Sequence, residues 1–412
     1  MKALDKVESL GSYMPSFFLL KVNTTESLLD INNLTNVDKA TFFHEYVHFL
    51  QDLFTLFGLR NINYFVNKVY GLHQIAIKKQ PLIFPLNKKD LTKSELDELF
   101  DIYYGTYFLG DDIDFVFKTN IYDNGYIKTK EHIKIIDVEC YSSKYKCHDA
   151  FSLGAFVILE SMAYIIEKKH FGDYNAPNFP YRIVDLIIDS LYADLNLSAA
   201  ERIAICEESL NSAHPGYTFI LLLDKIRELK IDFPTPNDIH LFCQRSFFLQ
   251  DEQGVKSNIH LYCINELKKA QDNLKIYFTK DDVVKVNLWI DLIFNTSKVY
   301  KEKGFHFYKM YESFDYFVEV INTVGTPLIA NDIEYYFQNP KLDQADCHIA
   351  MFTAIKEFME ISLGNKVNCD LKSLCNKGPV KLVNANCDNA PWLNKTLEPK
   401  CFFGTLMFLW QL

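Results

Sequence analysis

Residues 41–54, TFFHEYVHFLQDLF, set His44, Glu45 and His48 in a run otherwise built largely from Phe, Tyr, Val and Leu. A segment this apolar belongs in a core, and two imidazoles and a carboxylate are costly there unless each finds a partner. The flanking residues predict a helix over about 37–57: Thr35 and Asn36 are good N-caps, Asp38 brings a negative charge to the first turn, and Gly58 is the expected stop. On a helix, positions four apart share a face, so His44 and His48 aim at one point while Glu45 projects beside it. Gln51 and Asp52 extend this polar stripe and are placed to hold the far ring nitrogens.

HExxH on a helix is the spacing a hydrolytic zinc site requires. Zinc takes neutral imidazole nitrogens, keeps one position for water and lowers the pKa of that water to about 7, and an adjacent carboxylate can then take the proton. His44 and His48 are the expected Zn2+ ligands and Glu45 the general base. A third ligand is needed. The pattern HExxHxxGxxH is excluded, because Gln51 stands in place of its Gly and Phe54 in place of its third His. A distant segment must supply the ligand, and FSLGAFVILESMAYIIEKKHFG, residues 151–172, reads as a nearly continuous apolar helix from Ser152 as N-cap to Gly172 as stop. Glu160 at its centre needs a cation to be buried, and Gly154, Ala155 and Ala163 permit close approach to the first helix. Glu167 is the rival, but it precedes Lys168 and Lys169 and is expected to be solvated.

With HEYVH followed by LESMAYIIE, the chain resembles the gluzincin branch of zinc metallopeptidases, over these two helices and not over the intervening residues. The resemblance implies two ligands and the base from HExxH, the third ligand from a glutamate on a second helix, and an edge strand along which an extended peptide can pair. Such enzymes also present a donor to the developing oxyanion. NSAHPGYTF offers His214, the first choice, and Tyr217, while NFPYRI offers Tyr181 beside Arg182.

Between the helices, LIFPL, TYFLGDDIDFVFKTNIYD and EHIKIIDVECYSS are rich in Ile, Phe, Tyr and Val with a turn signal at Tyr122 to Tyr126, and read as strands of a small twisted sheet. Beyond residue 172 the apolar spacing is helical, over 182–194, 197–211, 217–230, 257–271, 281–301, 309–323 and 346–362. Pro234 and Pro236 suggest a boundary. The expectation is an α+β chain with a zincin-like part, residues 1–232, and a mainly helical part, residues 233–412.

Charge and cysteine usage narrow the function classes. A net charge of −10 without a long basic run argues against nucleic acid as a main partner. The opening residues lack a secretory pattern and no apolar run is long enough for a membrane span, so a cytoplasmic protein is expected. Six of the ten cysteines are scattered, several in apolar stretches, whereas Cys369, Cys375, Cys387 and Cys401 crowd the end of the chain. Those four leave open a second zinc site, disulfides or unlinked thiols. The leading expectation is a zinc-dependent peptidase acting on a peptide or protein. The alternative is an inactive or regulatory zinc-binding protein that engages a protein partner through the helical C-terminal region.

Overall fold

The computed structural model describes the chain apart from residues 1–9, 29–32, 80–81, 88, 90, 92–94, 106–112, 125–132, 143–145, 175, 232, 234, 247, 251–255, 279–283, 332–334, 337–345 and 378–381. The fold is mixed α+β, mainly helical with small sheets. It opens with a hairpin, β1 (Gly11–Met14) and β2 (Leu19–Val22), followed by helices α1 (Asn36–Phe54), α2 (Leu56–Ile77) and α3 (Glu95–Tyr104). Strands β3 (Phe115–Asn124), β4 (Ile133–Ser142) and β5 (Cys147–Ser152) form an antiparallel sheet ahead of α4 (Ala155–Phe171). Helices α5 (Asn178–Tyr181), α6 (Ile183–Leu191), α7 (Ala199–Leu210), α8 (Pro215–Leu229) and α9 (Pro236–Ser246) come next, then the short strands β6 (Phe248–Gln250) and β7 (Lys256–Asn258). The remainder comprises α10 (Ile259–Lys275), α11 (Val284–Glu302), α12 (Phe307–Glu312), α13 (Phe314–Val324), β8 (Leu328–Ala330), β9 (Tyr335–Tyr336), α14 (Asp346–Leu363) and, among the described residues, short helices at Lys372–Lys377, Asn386–Asn389, Pro391–Thr396 and Phe402–Leu409. Among the described residues, no helix is long and apolar enough to cross a membrane.

Helix α1 is the centre of the molecule. Thr35 caps it by accepting the Asp38 N–H, as its sequence suggests, and nearly every side chain from Ala40 to Phe54 is buried. It ends sooner than its apolar pattern implies. Thr55 turns to an extended conformation, closes α1 through its own N–H to Gln51 O, and caps α2 by accepting from Gly58 N. Gly58 is therefore no stop. It lies in the first turn of α2, where a Cβ would fall 2.4 Å from the Asp52 Cα, so only glycine permits so tight a corner.

Helix α4 packs along α1. Its N-cap is Gly154 rather than Ser152, because Ser152 is consumed by β5 and its hydroxyl donates to Asp137. At Gly154 three backbones meet. A Cβ there would lie 2.4 Å from Gly105 N, and one on Gly216, at the start of α8, 2.1 Å from Leu153 O.

The sheet expected between the two helices is present as β3–β4–β5, but LIFPL is not a strand and the turn at Tyr122 to Tyr126 lies partly outside the described residues. A second sheet covers α1, in the order β1–β2–β8–β9, with β2 and β8 parallel. The parts expected at 1–232 and 233–412 thus share a sheet, and one apolar cluster runs through both. The helical spacing beyond residue 172 is matched closely, except that the segment at 309–323 is broken at Ser313, which caps α13 by accepting from Tyr316 N.

Candidate metal centre

The two central helices bring three donor atoms together. His44 Nε2 lies 3.1 Å from His48 Nε2 and 3.2 Å from Glu160 Oε2, and His48 Nε2 lies 3.4 Å from the same oxygen. His44 is buried, while His48 and Glu160 retain partial exposure, so solvent reaches one side of the cluster.

The hydrogen bonds around the rings determine what these atoms can be. Gln51 Nε2 donates to the Leu159 carbonyl (3.0 Å), which leaves Gln51 Oε1 as an acceptor, so His48 Nδ1, 2.6 Å away, carries a hydrogen. His44 Nδ1 donates to Glu167 Oε2 at 2.8 Å. With both Nδ1 atoms protonated, each ring in its neutral form turns an Nε2 lone pair toward the other and toward the Glu160 carboxylate. Three lone pairs directed at one point repel unless a cation stands among them, and two imidazoles with a carboxylate form a donor set suited to zinc. The residues present fit the metal.

The carboxylates favour positive charge at this point. Against burial, which disfavours a charged ring, hydrogen bonds to Glu160 and Glu167 raise His44 well above the usual imidazole range, and the charge of Glu160 raises His48. Burial would lift Glu160, but His48 and His44 hold it far below the carboxylate range. Glu45, buried beside the ligands, is pushed up to about 7 by burial, with the histidines pulling the other way.

Two expectations about the residues around this cluster change. Asp52 does not reach a ligand; its Oδ2 accepts from Tyr13 Oη (3.0 Å) and Ser16 N (2.8 Å) and so fastens the β1–β2 hairpin to α1. Glu167 is not solvated. It is the carboxylate behind His44, and the sequence carried a signal for this: seven residues from Glu160 is two helical turns, which puts both on one face.

Among the candidate oxyanion donors, the structure places Tyr181 at the site and the other two elsewhere. The Tyr181 ring centroid is 5.7 Å from that of His44, and its hydroxyl is raised above the phenol range by burial and by Glu160, Glu45 and Glu167. Its segment is held by Ser161, next to Glu160; the serine hydroxyl donates to Pro180 O. His214, the first choice from sequence, caps α8 by accepting from Tyr217 N through Nδ1, while Nε2 is bonded to the Lys134 carbonyl on β4. With both ring nitrogens occupied in joining α8 to the three-stranded sheet, His214 has a structural position.

The β1 strand, too short to register in the sequence, runs against Glu45: a Cβ on Gly11 would lie 3.1 Å from Glu45 Cγ. Cys369, Cys375, Cys387 and Cys401 are buried free thiols. Cys401 Sγ caps the last helix from Gly404 N, and Cys387 Sγ accepts from Asn394. Among the described residues, two groups hold three donors close enough to share an ion, and neither contains a cysteine. No family model, curated protein or solved structure matches the chain.

Proposed function

We propose that the protein is a zinc-dependent peptidase whose metal is held by His44, His48 and Glu160. The observation that carries this reading is the arrangement of lone pairs: Gln51 and Glu167 fix the tautomers of both histidines so that three donors face one point. Zinc, when bound there, supplies a Lewis acid and an acidified water.

The remaining chemistry falls to the chain. Glu45 accepts the proton of the attacking water and returns it to the leaving amine, and its burial, which disfavours the bare carboxylate, makes it a stronger base than a solvated glutamate. Tyr181 keeps its proton and donates to the oxygen that gains charge. An extended substrate adds to β1, at the edge of the described sheet, and so passes Glu45.

The base distinguishes a peptidase from a regulatory zinc-binding protein, since a metal kept for structure needs the histidines and not Glu45. The test is Glu45→Gln, assayed on a mixture of unstructured peptides with zinc measured in the same samples. Wild type should cleave and the variant should retain zinc while losing activity by several orders of magnitude. A wild-type protein that holds zinc at His44 and His48 yet cleaves no peptide would favour the regulatory alternative.

A further inference from the structure

A second cluster repeats the logic of the first in a place the sequence did not flag. Glu207 on α7, His240 on α9 and His306 at the start of α12 bring their donor atoms within 4.8 Å of one another. His240 and Glu207 are almost fully buried, at 1% and 3% exposure. Glu208 Oε1 accepts from His240 Nδ1 at 2.6 Å and fixes that ring's tautomer, as Glu167 does for His44. The opposite nitrogen, Nε2, is buried without a hydrogen-bond partner and faces Glu207 Oε2 at 3.7 Å, beyond hydrogen-bond range. His306 Nδ1 lies 3.0 Å from Glu207 Oε1, and Glu207 Oε2 accepts the Phe307 N–H at 2.9 Å, which leaves His306 free of the usual capping role of its position.

The two imidazoles are stacked, with centroids 3.7 Å apart and planes at 19°. Two buried glutamates adjacent in sequence need compensating positive charge. Lys301 is near enough to act on His240, but its ammonium donates to the Phe54 carbonyl. Protons on both stacked rings would complete the balance but set two cations face to face, which is repulsive. A divalent ion among His240, His306 and Glu207 does so with both rings neutral and gives the orphaned His240 Nε2 a partner.

We propose that Glu207, His240 and His306 form a second site for a divalent transition metal of the zinc class, with Glu208 orienting His240. Two neutral imidazoles and a carboxylate suit such an ion, and its burial makes it structural. It ties α9 and α12 to α7. Both α7 and α12 pack on α4, and His170 on α4 is bonded to Met310 O on α12 at 2.7 Å, so this ion braces the helix that presents Glu160.

The proposal stands apart from the reading of the first site, and its test is made with that site removed. Folded protein carrying His44→Ala and His48→Ala should retain one equivalent of zinc by elemental analysis, where wild type holds two. Adding the isosteric Glu207→Gln should remove it, and Glu208→Gln should weaken it roughly 10- to 100-fold. Should Glu207→Gln fail to fold, stripped His44→Ala/His48→Ala protein titrated with Co2+ alone still decides. One equivalent with nitrogen–oxygen d–d bands, accompanied by a rise in melting temperature, supports the site. Absence of zinc and cobalt binding in the folded double variant would overturn it, as would a cobalt–thiolate charge-transfer band or an equivalent that survives Glu207→Gln.

Discussion

Glu45, Glu160 and Glu167 lie within one cluster and differ in what surrounds each carboxyl, so isosteric changes should separate their roles. Glu160→Gln removes the proposed third ligand and should abolish tight zinc binding at this site, whereas Glu167→Gln leaves the proposed ligands in place but frees the His44 ring, lowering affinity there by roughly 10- to 100-fold. Competition with a chromophoric chelator measures both; equal affinities for wild type and Glu167→Gln would show that the bond to His44 Nδ1 does not matter. Tyr181 and His214 give a sharper contrast. Tyr181→Phe should lower kcat by about 10² to 10³ with zinc retained, while His214→Ala should cost about 1 kcal/mol of stability through the lost cap of α8 and leave kcat unchanged. A larger kcat loss for His214→Ala would reverse the assignment. At this scale the sequence is informative about how His44, Glu45 and His48 lie together, because one helix fixes their spacing. It offers Tyr181 without ranking it above His214, because the approach of Tyr181 depends on Ser161 holding Pro180, a contact between segments with no shared periodicity.

Among the elements, α1 and α4 are readable because each has a long apolar run and a recognisable end; Gly172, with φ +89, stops α4 as its residue type implies. The β1–β2 hairpin is not, because four-residue strands carry little pattern and its turn sets Ser16 and Phe18 at φ +67 and +53, where glycine would have been the signal. What holds that turn is Asp52, reaching from α1. Burial lifts its carboxyl to about 7, with the Ser16 and Tyr13 hydrogen bonds opposing. In the unfolded chain the group ionises near 3.8, so between these values the folded state binds the extra proton and stability falls as pH rises. Asp52→Asn keeps an acceptor for both donors and removes this dependence. Between pH 5 and pH 7 wild type should lose up to roughly 2 to 3 kcal/mol more than the variant in denaturant unfolding. Parallel pH profiles would mean that Asp52 is ionised throughout.

At the scale of the whole molecule, the boundary suggested by Pro234 and Pro236 is a local break and not a division of the core. Residue types announce a loop there, but the pairing of β2 with β8 and the packing of α2 on α10 are long-range contacts that no local pattern encodes. A shared core has a measurable consequence. The three tryptophans, Trp289, Trp392 and Trp410, all lie after residue 232, whereas the proposed ligands His44, His48 and Glu160 all lie before it. Zinc that binds only the folded state stabilises it by about 4 kcal/mol at a thousandfold excess over its dissociation constant. If one core unfolds as a unit, that stabilisation reaches the tryptophans, although none of them belongs to the site. Heating zinc-loaded wild type and His44→Ala/His48→Ala while recording tryptophan fluorescence and far-ultraviolet circular dichroism should give coincident transitions for each protein, both lower in the variant by several degrees. Using the double variant leaves the second cluster loaded in both samples and confines the difference to the first site. A circular dichroism transition that shifts while the fluorescence transition stays in place would show that residues 233–412 unfold independently, and the parallel pairing of β2 with β8 would then contribute little to cooperativity.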